Sequence, residues 1–227
     1  MSLSRLTPST PARRYVEAIF EILKQVVESQ HQQIASVAQR TADVIAHGGC
    51  VHLLDNGHLL GSELINRAGG LAAMHAVTAE AAKDPACVRR GDVLFIASVS
   101  GRSSPVVEAA ILARARGVFT VALQSNAQAE VSPPQHPDGR HLRDVVDVAL
   151  DIGGVAGDAV LEFPGLSQRA CPTSGVVSAV LMWAIVAETI AALLRSGVVP
   201  TVFTSVNVSG GEQRYAEELE RYRRTGY

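Results

Sequence analysis

Cysteine, aromatic residues and clusters of a single charge are all scarce in this 227-residue sequence. The three cysteines, Cys50, Cys87 and Cys171, lie far apart and show none of the paired spacings of a zinc or disulfide framework. They indicate a reducing, cytoplasmic environment. Lysine plus arginine number 20 and aspartate plus glutamate 22, without a long basic run, so we expect no nucleic-acid partner.

Long hydrophobic runs are also few. Residues 1–14 contain prolines and hydroxyl side chains but no apolar core, so they predict a flexible leader rather than a secretory signal or membrane anchor. The most apolar stretch, residues 176–194, is interrupted by Trp183, Glu188 and Thr189 and falls short of a typical membrane span. We therefore expect a buried or interfacial helix there, and no membrane partner.

Two kinds of periodicity alternate along the rest of the chain, which predicts one domain over residues 15–227. Helical spacing runs through residues 15–47, where a polar patch at 28–33 predicts a break between two helices. Short, continuously apolar runs then alternate with helical patterns, which is typical of a doubly wound parallel sheet flanked by helices. The predicted strands are residues 51–54, 71–77, 93–97, 118–123 and 145–150, and the predicted helices are residues 59–68, 105–116, 176–195 and 212–224.

Three polar segments are predicted to follow these strands or to open a helix. In open parallel sheets, ligands bind beyond the carboxyl ends of the strands, where helix N-termini point free N–H groups outward. The segments are Asp55-Asn56-Gly57-His58, Ser98 to Ser104, and Thr173-Ser174. All three therefore fall in the expected ligand-binding region.

The middle segment predicts a phosphate site. Its hydroxyl donors are Ser98, Ser100, Ser103 and Ser104. Gly101 lets the backbone turn its amides toward one point, and Arg102 adds a positive charge. We predict Ser104 as the N-cap of a helix that begins at Pro105, whose dipole favours an anion at the same place. The alternative is that these serines only cap a helix and fill a turn.

The histidines outside these segments show no metal-binding pattern. His31, His47, His52 and His75 are scattered over predicted helices and strands. His136 and His141 lie in the turn-rich segment 126–143, which predicts a long surface loop of the kind that acts as a lid. We favour solvent exposure for these two over a reach into a neighbouring subunit's site. We predict no metal and no cofactor.

A strand followed by Ser-x-Ser-Gly-x-Ser and a helix resembles the sugar isomerase (SIS) domain of phosphosugar isomerases and phosphosugar-binding regulators. Further segments resemble a branch of SIS-domain proteins related to phosphoheptose isomerase, and the likeness covers most of the chain. They are Asn56-Gly57-His58, Ser62-Glu63-Leu64, Arg67-Ala68-Gly69-Gly70, His136-Pro137-Asp138-Gly139, Gly157-Asp158-Ala159, Pro172-Thr173-Ser174 and Ser205-Val206-Asn207-Val208 with Gly210-Gly211. The resemblance implies a five-stranded parallel sheet and a homodimer or tetramer. It also implies that Ser98, Ser100, Ser103 and the Thr173-Ser174 turn hold phosphate, with Asn56 and Gly57 beside them.

The resemblance also implies a catalytic pair, because aldose-ketose isomerisation needs a base and an acid. Glu63 matches the position of the phosphoheptose isomerase base, and His58 is the candidate acid. Two positions depart from the family pattern. The family has a companion histidine to this base, and its position falls near Trp183 in this chain. We interpret Trp183 as a core or interface residue. Leu59 replaces a serine that would donate to phosphate.

Two classes of function remain open. The favoured class is an enzyme that binds a sugar phosphate and isomerises it between aldose and ketose. Cleavage of a lactyl ether on a phosphorylated amino sugar is a further reaction known for this fold. The other class is a non-catalytic phosphosugar sensor that acts through a protein partner, in which Leu59 and Trp183 mark the loss of catalysis.

Overall fold

A computed structural model describes residues 10–57 and 60–227. The main sheet comprises β1 (Val51–Asp55), β2 (Met74–Val77), β3 (Val93–Ala97), β4 (Phe119–Gln124) and β5 (Val148–Asp151). These five strands pair in parallel in the order β2-β1-β3-β4-β5. Each lies on one of the five predicted runs, which confirms the doubly wound parallel sheet. The central strand β3 is buried at every position because helices cover both faces of the sheet.

Seven α-helices surround this sheet within the described part of the chain. They are α1 (Pro11–Ala46), α2 (Leu60–Leu64), α3 (Ala79–Lys83), α4 (Ser104–Ala115), α5 (Asn126–Glu130), α6 (Ser174–Arg195) and α7 (Gly211–Thr225). A short antiparallel hairpin, β6 (Ala159–Leu161) and β7 (Ala170–Pro172), precedes α6 and was not predicted. Its strands are only three residues long, too short for a periodic pattern to reveal.

Helix α1 is continuous, so the predicted break at residues 28–33 is wrong. Gln30, inside that polar patch, is buried and bonds the exposed edge of β5. Its Nε2 donates to the Asp151 carbonyl at 2.8 Å, and its Oε1 accepts from the Asp151 N–H at 2.8 Å. Gln30 is thus a buried polar residue that pairs with a strand edge. The helix begins at Pro11 and includes residues 11–14 of the predicted leader, whereas residues 1–9 lie outside the described range.

Helices α1 and α6 pack together on one face of the sheet. Buried side chains of α6, including Leu181 and Ile185, share one core with Val37 and Ile45 of α1. By length and composition α6 passes as a membrane span, yet half of its most apolar window is buried inside the protein. This placement agrees with the predicted buried or interfacial helix.

The segment 126–143 is more ordered than the predicted surface loop. It contains α5 and leads into a short 3-10 helix, Leu142–Asp144. The expectation of solvent exposure is wrong for His136, which is 8% exposed with its Nε2 3.2 Å from Glu108 Oε2. His141 is partly buried, with its Nε2 2.7 Å from the Ser132 carbonyl oxygen. Both rings are occupied by contacts within the chain.

Candidate functional site

The first two polar segments meet at the carboxyl ends of β1 and β3. The strands are in register, with Asp55 beside Ala97, so the residues that follow them emerge together. The Asn56 N–H donates to the Ala97 carbonyl at 3.0 Å, and Asn56 Nδ2 donates to Ser98 Oγ at 3.4 Å. The predicted proximity of Asn56, Gly57 and the serine loop therefore follows from strand register.

The serine loop turns sharply at Gly101. The Gly101 N–H donates to the Ser98 carbonyl at 3.1 Å, and its φ of 59° lies in the left-handed region that favours glycine. A Cβ at this position would lie 1.9 Å from Gln124 Oε1. Glycine is therefore required both by the backbone conformation and by the close approach of a buried side chain.

Several polar groups of this loop are left for a ligand. Among the described residues, none bonds the hydroxyls of Ser100, Ser103 and Ser104, and Arg102 Nε is buried without a partner. The N-cap of α4 is Ser103 rather than the predicted Ser104, which is the first helical residue, and the Ser103 side chain makes no capping bond. Free hydroxyls at the start of a 12-residue helix suit an anion.

The third segment, at the start of α6, already holds a carboxylate. Asp158 Oδ1 accepts from the N–H groups of Thr173 at 3.0 Å and Ser174 at 2.8 Å. Asp158 Oδ2 accepts from Ser174 Oγ at 2.6 Å. The donors predicted to bind phosphate are thus used by Asp158, which would have to move before they could contact a ligand.

Asp158 is held in its ionised form. Burial disfavours its charge, but hydrogen bonds from Ser174 and Thr173 outweigh the burial, so the pKa of Asp158 lies below its usual range. Its φ of 62° is left-handed, an uncommon conformation for a residue with a side chain. The hydrogen bonds therefore hold a negative charge at the start of α6.

Glu63, the candidate base, lies in α2 and faces α6. Its Oε1 accepts a hydrogen bond from Trp183 Nε1 at 3.1 Å, and its Oε2 forms an ion pair with Arg67. Trp183 is partly buried against the core, as predicted, and it is also a direct partner of the candidate base. Trp183, which lies near the position of the family's companion histidine, therefore contacts Glu63 through an indole N–H in place of an imidazole.

Three surface pockets that share lining residues lie beside these groups, and together we call them the groove. Its first part meets the second at Asp158, and the second meets the third at Gly175 and Val176. The polar side chains along it, from one end to the other, are Asn56, Ser98, Ser100, Gln128, Asp158, Tyr15, Ser174, Ser62, Glu63 and Trp183. The serine loop lies at one end and Glu63 at the other, with Asp158 between them.

Sequence comparison now places the chain in a family. It is 30% identical to the UPF0309 protein of Geobacillus thermodenitrificans over 234 residues, which cover 92% of this chain and 94% of that protein. The chain belongs to the UPF0309 family. The SIS domain matches residues 14–83 and 77–125 of this UPF0309 protein, which confirms the predicted SIS-domain membership.

Solved structures show the same fold. The UPF0309 chain is similar to a phosphoheptose isomerase from Francisella tularensis, with a TM-score of 0.55 and 14% identity over 82% of this chain and 100% of that chain. It is also similar to the Vibrio vulnificus NanR protein complexed with ManNAc-6P, with a TM-score of 0.54 and 16% identity over 96% and 69% of the two chains. At these identities the likeness concerns the fold.

The structure of the UPF0309 protein sorts the predicted site residues into two groups. Those that line the groove are Asn56, Gly57, Ser98, Ser100, Ser174 and Glu63. Those that do not line it are Gly101, Arg102, Ser103, Ser104 and Thr173. The candidate acid His58, and Leu59 beside it, lie outside the described residues.

Sequence reasoning missed two residues that shape the groove of the UPF0309 protein. Asp158 is noted only as part of a family-like segment, because no local pattern signals its contact with Thr173, 15 residues along the chain. Gln128 lies in α5, inside the predicted loop, and its Oε1 accepts from the Gly157 N–H at 2.6 Å. Gln128 therefore holds the segment that carries Asp158.

Proposed function

We propose that this UPF0309 protein binds a sugar phosphate in the groove and interconverts its aldose and ketose forms. The observation that carries the proposal is the groove itself, in which pockets that share lining residues extend from the serine loop to the Glu63 carboxylate. A phosphosugar has the matching distribution of chemistry, with a dianion at one end and exchangeable carbon-bound protons at the other.

The phosphate is anchored by the serine loop. Ser98 and Ser100 line the groove, and the free end of α4 adds a positive dipole behind them. Binding energy from this remote phosphate can orient the sugar carbons at the other end of the groove. Phosphosugar recognition therefore does not depend on the residues that carry out the chemistry.

In the proposed reaction, Glu63 removes a proton from the carbon next to the carbonyl and returns it to the neighbouring carbon. A second group moves a proton between the two oxygens, so the substrate is converted without net loss of atoms. Asp158 remains ionised and accepts hydrogen bonds from sugar hydroxyls. Tyr15, whose hydroxyl donates to the Pro172 carbonyl at 2.8 Å, closes the same part of the groove.

A non-catalytic phosphosugar sensor is the alternative function. The observation that favours it is the environment of Glu63, because both carboxylate oxygens already accept a hydrogen bond or ion pair from Trp183 and Arg67. A base must release at least one of these contacts to take a proton. Under this alternative the groove binds the same ligand, and a protein partner recognises the ligand-bound form.

Ligand binding is tested by thermal shift against a panel of pentose, hexose, heptose and N-acetylhexosamine phosphates. A ligand at a hundred times its Kd stabilises the fold by about 2.7 kcal/mol, or roughly 5–10 °C in Tm for a chain of this size. We expect Ser100→Ala to abolish the shift and the exposed control Ser209→Ala to retain it. No shift with any compound would refute phosphosugar binding.

Catalysis is tested with Glu63→Gln on the compound that gives the largest shift. The amide keeps the size of the side chain and cannot act as a base. We expect turnover to fall by a factor of about 10² or more, with binding retained. If the wild type binds the compound without converting it, the sensor replaces the enzyme as the proposed function.

We further propose that the protein is a cytoplasmic homo-oligomer. Three free cysteines agree with a reducing compartment. Large apolar side chains of α1 and α6 remain exposed, among them Phe20 at 56% and Leu194 at 53%, and a second copy would cover them. Light scattering at micromolar concentration should give a dimer or tetramer, and a monomer would contradict the proposal.

A further inference from the structure

A second cluster of reactive side chains lies at the amino ends of β1 and β3, opposite the serine loop. Cys50 precedes β1, His52 lies within it, and Asp92 precedes β3. Their potential metal-ligating atoms all lie within 4.8 Å of one another, and His52 and Asp92 are buried. Because β1 has five residues, this cluster and the serine loop are separated by about 15 Å.

Strand geometry brings these three side chains together. Cys50 and His52 are two residues apart, so they project from the same face of the extended chain. Val51 pairs with Val93 in the parallel register, which places Asp92 beside Cys50 on the neighbouring strand. Two of the histidines predicted to be scattered come together here, since His75 of β2 is the register partner of His52.

The carboxylate of Asp92 organises the cluster. Its Oδ1 accepts from the Cys50 N–H at 2.9 Å, and its Oδ2 accepts from the Arg89 N–H at 2.8 Å. His52 Nε2 lies 3.0 Å from Asp92 Oδ2, a distance suited both to a hydrogen bond and to two ligands of one ion. The three groups are thus positioned before any ligand arrives.

One atom in this cluster lacks the partner that burial normally demands. His52 is 6% exposed, and its Nδ1 is buried without a hydrogen-bond partner in the described part of the chain. Buried ring nitrogens are ordinarily bonded, so the unpartnered Nδ1 leaves the His52 imidazole with one group that the described residues do not satisfy.

We propose that Cys50, His52 and Asp92 bind a zinc ion. One sulfur, one nitrogen and one oxygen form a donor set of the kind that Zn²⁺ accepts, and three protein ligands leave a fourth position for water. On binding, the Cys50 thiol releases its proton to solvent. The resulting thiolate and the Asp92 carboxylate then balance the charge of the divalent cation.

The proposed site connects the sheet to the C-terminal helix. The Tyr222 hydroxyl of α7 lies 2.6 Å from Nε2 of His75, the register partner of His52. Tyr222 and His75 therefore form the wall of the site on its α7 side. An ion held by β1 and the residue before β3 would fix the place where α7 docks, far from the groove.

The test uses the full-length protein after chelation, with Zn²⁺ alone as the added ligand. We expect one ion per chain by elemental analysis after dialysis, and tight uptake by calorimetry. Cys50→Ser should weaken the affinity by at least the roughly 10–100-fold typical of losing an outer-sphere partner. Cys87→Ser, at an exposed cysteine elsewhere, is the matched control and should bind like the wild type.

A measurement on the unsubstituted protein guards against a variant that does not fold. Co²⁺ bound at this site should show a thiolate-to-metal charge-transfer band, which Zn²⁺ addition removes. Absence of this band, failure of the wild type to take up Zn²⁺, or unchanged affinity in folded Cys50→Ser would each overturn the proposal. Ser100→Ala should still bind zinc, so the site can be judged separately from phosphosugar binding.

Discussion

Replacing Gly101 by alanine should destabilise the fold and disrupt the proposed phosphate site together. Gly101 has a φ of 59°, where an added Cβ costs about 1–2 kcal/mol. The same Cβ would collide with Gln124 Oε1, which accepts a hydrogen bond from the Arg143 N–H at 3.1 Å. Gln124 is 1% exposed, so it cannot swing into solvent to relieve the collision.

The expected loss follows from these two effects. Displacing Gln124 forfeits a hydrogen bond worth about 0.5–1.5 kcal/mol, which brings the total for Gly101→Ala to roughly 1.5–3.5 kcal/mol. For a chain of this length, this corresponds to a fall in Tm of about 3–14 °C. The loop amides also shift, so phosphosugar-induced stabilisation should disappear.

Urea unfolding of Gly101→Ala and Gly139→Ala separates the two effects. Gly139 has a similar φ of 69°, but an added Cβ there has no neighbour within 4 Å. We expect Gly139→Ala to lose about 1–2 kcal/mol, from the backbone conformation alone. Equal losses in the two variants would show that Gln124 does not constrain the loop and would refute the reasoning.

Three further predictions concern other contacts. Asp158→Asn should lower the free energy of unfolding by about 1.5–3 kcal/mol at pH 7. Because folding lowers the pKa of Asp158, this loss should be complete above the unfolded-state pKa. In acid titration it should vanish as the pH falls through the folded-state pKa. Trp183→Phe removes the donor to Glu63 and should lower the free energy of unfolding in urea by about 1 kcal/mol. An unchanged free energy would show that this hydrogen bond does not stabilise the fold. Gln30→Leu should cost about 1–3 kcal/mol because both backbone groups of Asp151 lose a partner; hydrogen exchange should rise at Asp151.

The local pattern of residues 93–105 predicts a strand, a glycine turn and a helix, and the structure contains all three. A buried strand, a glycine turn and a helix start are all encoded within residues 93–105, so chain neighbours determine the geometry. The capping residue differed by one position, which is a small adjustment of the first turn. The base assignment instead needed a resemblance, and the structure added its partner Trp183, 120 residues away.

The sequence by itself determined the parallel sheet, the alternation of its strands with helices along the chain, and the glycine turn between β3 and α4, because each is encoded by periodicity or by adjacent residues. Only the tertiary structure decided which distant polar groups meet. Gln30 hydrogen-bonds a strand edge 121 residues away, and Asp158 accepts a hydrogen bond from the first residue of α6. The Cys50 N–H donates to Asp92, 42 residues away. Such contacts arise from strand register and helix packing, which bring together residues that no local pattern connects.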